Sequence, residues 1–126
     1  MRITLAKTAG FCFGVDRAVN QAYEFAETGK KAVTLGPLIH NTQVTNDLAS
    51  KGVGVIDSPA QAKEGETVII RAHGVAKSVY EELENAGVEI CDATCPFVKK
   101  IHSIVAENSS ESVPVLVAGD PEHPEV

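Results

Sequence analysis

Short apolar runs alternate with stretches of helical periodicity along this chain, and that alternation limits the fold more than any other feature. Residues 3–7, 32–35, 53–56, 67–72, 88–91 and 113–118 read as strands, rich in β-branched side chains. Over residues 13–27, Val15, Ala18, Val19, Ala22, Phe25 and Ala26 recur at helical spacing, and Gly29 closes the segment. Helices are expected over 42–50, stopped by Gly52, and over 75–85, stopped by Gly87, with Val79 and Leu83 facing inward. Asp57-Ser58-Pro59 marks a short helical turn. Thr94-Cys95-Pro96 opens a last helix whose inner face is Phe97, Val98, Ile101, Ile104 and Val105. Strands and helices taken in turn specify βα units on a mainly parallel sheet, an α/β fold.

A chain of 126 residues predicts one domain with the start of another. Only 5% is aromatic and there is no Trp, so Val, Ile, Leu and Ala must build the core. Seventeen acidic against eleven basic residues argue against nucleic acid as the main partner, because phosphate backbones need a basic face. A small anion is compatible with this charge, held by local imidazoles and helix N-termini. No run approaches the roughly 20 apolar residues of a spanning helix. The first residues are too few and too polar for a signal peptide, so the cytoplasm is the expected location. Three cysteines are an odd count for a disulfide framework and suit metal ligation or catalysis. Glycine-rich nucleotide signatures are absent.

Three histidines each close an apolar run: His40 in Ile39-His40-Asn41, His73 in Arg71-Ala72-His73-Gly74, and His123 before Pro124-Glu125. If the strands are parallel, these imidazoles emerge at one sheet edge, where open α/β sheets bind ligands. Imidazole donates to phosphate and exchanges protons near neutral pH. Cys12 and Cys95 each sit where a helix begins, and the positive end of a helix favours thiolate, the form that binds metal. Cys91 lies inside a strand and reads as core, and His102 as a surface or flanking residue. Asp16 and Arg17 read as structural residues of a helix start. Glu125, two residues after His123, is a candidate general acid.

Taken together, Gly10-Phe11-Cys12-Phe13-Gly14-Val15-Asp16-Arg17-Ala18, Ile39-His40-Asn41, Arg71-Ala72-His73-Gly74-Val75, Asp92-Ala93-Thr94-Cys95-Pro96 and His123-Pro124-Glu125-Val126 closely resemble one family. That family is 4-hydroxy-3-methylbut-2-enyl diphosphate reductase, the last enzyme of the non-mevalonate isoprenoid pathway. The resemblance implies a three-lobed α/β reductase around a 4Fe-4S cluster held by three cysteines. Cys12 and Cys95 match two of those ligands, and His40, His73 and His123 match the residues that bind the substrate diphosphate. Glu125 matches the acid that protonates the departing hydroxyl. The implied reaction is reductive dehydroxylation to isopentenyl and dimethylallyl diphosphate, with electrons from a donor such as ferredoxin or flavodoxin.

The family's members are more than twice this length. On this resemblance residues 1–95 form the first lobe and 96–126 begin a second, with no candidate for the third cluster cysteine. The expectation is a fragment, inactive alone, that self-associates through its C-terminal segment. Two other readings stay open: a non-catalytic metal- or diphosphate-binding module, and a thiol enzyme with Cys95 as nucleophile beside a histidine.

Overall fold

Four parallel strands, β1 (Ala32–Leu35), β2 (Val53–Ile56), β3 (Thr67–Ile70) and β4 (Glu89–Asp92), form one sheet in the order β2-β1-β3-β4. The computed structural model describes residues 1–123 and 125–126. Leu35, Ile56, Ile70 and Asp92 lie level across the sheet and mark its C-terminal edge. Helices α1 (Phe13–Thr28), α2 (Thr42–Ser50), α3 (Lys77–Asn85) and α4 (Pro96–Asn108) complete the α/β fold, with a short 3-10 turn at Pro59–Gln61.

The pleat sends alternate residues to opposite faces, and the two faces carry different helices. Ala32, Val53 and Ile69 pack with Ala18, Val19 and Ala22 of α1 and Leu48 of α2. Leu35, Val68 and Ile70 pack on the other side with Leu83 of α3. β3 is buried along its whole length, as a central parallel strand covered on both faces must be. Full burial of a side chain such as Leu83 contributes about 2–3 kcal/mol.

The helices end as their sequences dictate. Gly29 takes the left-handed conformation after α1, at φ 68°, which a glycine adopts without a Cβ clash. The Asn41 side chain accepts from the amides of Gln43 and Val44 and so caps α2. Ser58 and Gln61 form a reciprocal capping box around the 3-10 turn.

Two expected strands do not form. Residues 3–7 are irregular and exposed, Ile3 and Leu5 by 82% and 83%. Residues 113–118 are irregular too, with Leu116 94% exposed. A strand gains its stability from a hydrogen-bonded neighbour, and neither sheet edge, β2 or β4, receives either segment. The expected inner face of α4 is also corrected. Only Val98 is buried, whereas Phe97, Ile101 and Ile104 face solvent. Helix α3 begins at Lys77 rather than Val75, because the chain first turns at Gly74 (φ 75°), whose amide donates to the Arg71 carbonyl at 3.0 Å.

Candidate functional site

From β1 the chain passes through α2 to β2 on one side, and from β3 through α3 to β4 on the other. Because α2 and α3 cover opposite faces, the loops leaving β1 and β3 part company at the C-terminal edge. A crevice opens at such a switch point, the usual ligand site of an open parallel sheet. His40 lies on the loop after β1 and His73 on the loop after β3, one on each side of it.

The two imidazoles stand with ring centroids 5.8 Å apart. His123 joins them edge-on, 6.4 Å from His73. It does so from an irregular segment rather than from the end of a strand. Phe11, Val15, Ile39 and Asn41 complete a cleft of ≈ 250 Å³ around His40 and His73. On its other side His73 borders a larger cleft of ≈ 620 Å³, shared with Tyr80, Ile101, His102 and Glu125.

His73 is the half-buried centre of the row, and its Nδ1 is buried without a hydrogen-bond partner. Burial pushes its pKa below the ordinary imidazole value. The Glu125 carboxylate works against this shift, while Arg71 and the neighbouring imidazoles of His40 and His123 reinforce it. Glu125 is held close to the row by its own backbone, whose amide donates to His123 Nδ1 at 3.2 Å.

Both site cysteines cap helices. The Cys12 carbonyl accepts from the Asp16 amide at 2.9 Å, and the Cys95 carbonyl from the Lys99 amide at 3.0 Å. Cys12 is exposed and lies between Phe11 and Val15, which line the histidine cleft. The Cys95 amide donates to the Ala72 carbonyl at 2.9 Å, which ties this cysteine to the His73 loop. An ideal Cβ placed on Gly14 would fall 2.5 Å from Cys95 Sγ, so only a glycine lets the first turn of α1 approach the thiol this closely.

The third cysteine is different. Cys91 packs against the core on the α1 side of the sheet. Burial raises its thiol pKa, with Arg17 opposing and Asp92, Glu89 and Glu24 adding to the rise. No three His, Cys, Asp or Glu side chains among the described residues gather as a closed metal site. Two unpaired thiols at neighbouring helix N-termini fit in kind as iron–sulfur ligands, and they are fewer than a cluster needs.

The turn between β4 and α4 is held by a small network. The Thr94 amide donates to Asp92 Oδ1 at 2.9 Å, Lys99 pairs with Asp92 at 2.6 Å, and Arg17 donates to the Thr94 carbonyl at 3.2 Å. Burial alone would raise the Asp92 carboxyl, but the bonds from Lys99 and Thr94 outweigh it and hold the group below the usual carboxylate range. His102 is exposed, as its sequence position suggests, and an ideal Cβ on Gly74 would come within 3.0 Å of its Cε1. Arg71 is the neighbour that the sequence reading passed over. The one signal was a charged residue directly after the most apolar strand.

A family model described as LytB protein matches residues 3–126. The chain belongs to the LytB family. It is 50% identical over 130 residues to a protein of Thermoanaerobacter sp. (strain X514) named 4-hydroxy-3-methylbut-2-enyl diphosphate reductase, covering all of this chain and 45% of that relative. A relative of the same name from Geobacter sp. (strain M21) is 48% identical over 126 residues, 44% of its length. Among solved structures, one of (E)-4-hydroxy-3-methyl-but-2-enyl diphosphate reductase superposes with TM-score 0.82 at 44% identity, over 98% of this chain and 44% of that one. The E-1-hydroxy-2-methyl-but-2-enyl-4-diphosphate reductase from Plasmodium falciparum follows with TM-score 0.73 and 30% identity, covering 81% of this chain and 34% of that one. This LytB chain thus spans less than half the length of the relatives it matches. Among its described residues no helix is long and apolar enough to cross a membrane.

Proposed function

We propose that this chain is the N-terminal portion of a 4-hydroxy-3-methylbut-2-enyl diphosphate reductase, and that it supplies the diphosphate grip, the proton donor and two of the cluster thiolates. The observation that carries this reading is the row of three imidazoles at the switch point, next to two helix-capping cysteines. In it His40, His73 and His123 bind the diphosphate, and His73, with an unpartnered Nδ1, has hydrogen-bonding capacity to spare. Cys12 and Cys95 hold a 4Fe-4S cluster together with a third thiolate from outside residues 1–126. When bound, that cluster supplies electrons and a Lewis-acidic iron for cleavage of the allylic carbon–oxygen bond. Glu125, whose backbone amide donates a hydrogen bond to His123 Nδ1, delivers a proton to the departing hydroxyl oxygen.

In this reading residues 1–95 are one lobe and 96–126 begin the next. The protein works in the cytoplasm with a ferredoxin- or flavodoxin-type donor, and the 126 residues alone do not turn over. Apolar residues exposed on α4 and along 113–117 promote association of isolated copies.

A chimera tests the proposal. This chain replaces the corresponding N-terminal segment of the Thermoanaerobacter relative, and the product is reconstituted anaerobically with iron and sulfide. The expected result is a visible iron–sulfur band and reductase activity. Cys12→Ser and Cys95→Ser should abolish both, and Glu125→Gln should remove activity while keeping the band. A folded chimera that takes up iron and sulfide but reduces nothing would overturn the proposal.

A further inference from the structure

Several cations near the C-terminal edge of the sheet already have partners. Lys99 pairs with Asp92 and Lys77 with Glu81, and Arg17 donates to the Thr94 carbonyl. Arg71 does not. Among the described residues its guanidinium has no salt bridge and no hydrogen bond, and its Nε is buried without an acceptor. A half-buried cation without an anion is costly to keep, since burial removes its water and nothing in the chain replaces it.

Its position is specific. Arg71 directly follows β3, two residues before His73. The side chain reaches back across the end of β1, where an ideal Cβ on Gly36 would come within 3.2 Å of Nη1. Gly36 has φ 70°, so glycine both permits this turn and leaves room for the guanidinium. The group therefore sits at the C-terminal ends of β1 and β3, close enough to His73 for its charge to act on that imidazole. Imidazoles carry a charge that varies around neutral pH, whereas guanidinium is always charged and presents a planar fork suited to two phosphate oxygens.

We propose that Arg71 is the permanently charged member of the anion site, donating through its terminal guanidinium nitrogens to the same diphosphate that the imidazoles hold. The inference rests on the diphosphate reading above and adds a binding residue to it. It also accounts for a cation at the switch point of a chain with net charge −6.

Inorganic pyrophosphate is titrated into the 126-residue chain by calorimetry at constant ionic strength, for the unchanged protein and for Arg71→Gln, Arg71→Lys and His73→Gln. Arg71→Gln should weaken binding by about tenfold or more, as expected for loss of a charge-assisted fork, with Arg71→Lys in between. A parallel measurement needs no substitution: the guanidinium nitrogen signals of Arg71 should shift in nitrogen-resolved NMR as pyrophosphate is added. If His73→Gln weakens binding while Arg71→Gln does not, or if the Arg71 signals stay put, the role of Arg71 is overturned and the imidazole site stands. If the unchanged chain binds no pyrophosphate at all, the diphosphate reading itself falls, and this inference with it.

Discussion

The backbone of Gly14 and the thiol of Cys95 sit against each other: a Cβ added to Gly14 would lie 2.5 Å from Cys95 Sγ and 2.9 Å from its Cβ. Gly14 is in the first turn of α1 at an ordinary helical φ. Alanine there would normally stabilise the helix by up to about 1 kcal/mol. Here overpacking opposes that gain and should cost about 1–3 kcal/mol, so Gly14→Ala is expected to destabilise the chain. The urea midpoint decides the sign, and a raised midpoint would mean that Cys95 moves aside freely.

The three thiols should react in a fixed order. Cys12 is exposed, and Cys95 and Cys91 are both half-buried, but Cys91 packs against the core and its pKa is raised by burial. Thiolate is the reactive form, so iodoacetamide near neutral pH should label Cys91 last, at least about tenfold more slowly than Cys12. Peptide mass spectrometry against time measures this. Equal rates would contradict the packing of Cys91 against the α1 side of the sheet.

Acid should weaken the fold partly through His73. Its folded pKa is depressed, first by burial, so the unfolded chain takes up the proton more readily. The stability this group contributes is therefore complete above about pH 6.5, the ordinary histidine value, and is lost as pH falls from there toward the folded pKa. Urea midpoints at pH 7.5 and pH 5 should differ less for His73→Gln than for the unchanged chain. An identical difference in both proteins would show that His73 is not the group responsible.

Most of the sheet was legible because burial on both faces imposes apolar runs that only a central parallel strand explains, as in Thr67–Ile70. Capping was equally plain at Ser58 and Gly29, where a local backbone need selects the residue type, whereas the Asn41 cap of α2 emerged only from the structure. The segments 3–7 and 113–118 have the same strand-like composition, yet no neighbour pairs with them, and composition cannot reveal a missing neighbour. Of the site, the histidines and capping cysteines were visible because strand ends and helix starts can be read locally. The proximity of His123 to His73 came about by another route, through an irregular segment rather than a strand. Arg71 was missed because its meaning lies in what it lacks, an acceptor, and that is a property of three dimensions.

The exposed apolar residues give a further expectation. Phe97, Ile101 and Ile104 of α4 are 70%, 53% and 49% exposed, and Leu116 is almost bare. Patches of this kind associate in water. Sedimentation should show dimers or larger species that grow with concentration, and a paired Ile101→Lys and Leu116→Lys change should shift the balance to monomer. A single monomeric boundary at high concentration would refute this.

The site draws on two kinds of support. His40 and His73 stand on the exits of β1 and β3, the two inner strands, each with a hydrogen-bonded neighbour on both sides. His123 and Glu125 belong to a stretch whose backbone bonds are short-range, such as His123 to Asp120 and Val126 to His123. The two pairs are thus separately adjustable: a change in the tail can move the His123 ring and the Glu125 carboxylate without disturbing His40 and His73, which are fixed to the sheet. Hydrogen exchange would draw that boundary directly, slow at Val68–Ile70 and fast beyond Asn108, with a rigid floor beneath a tunable rim.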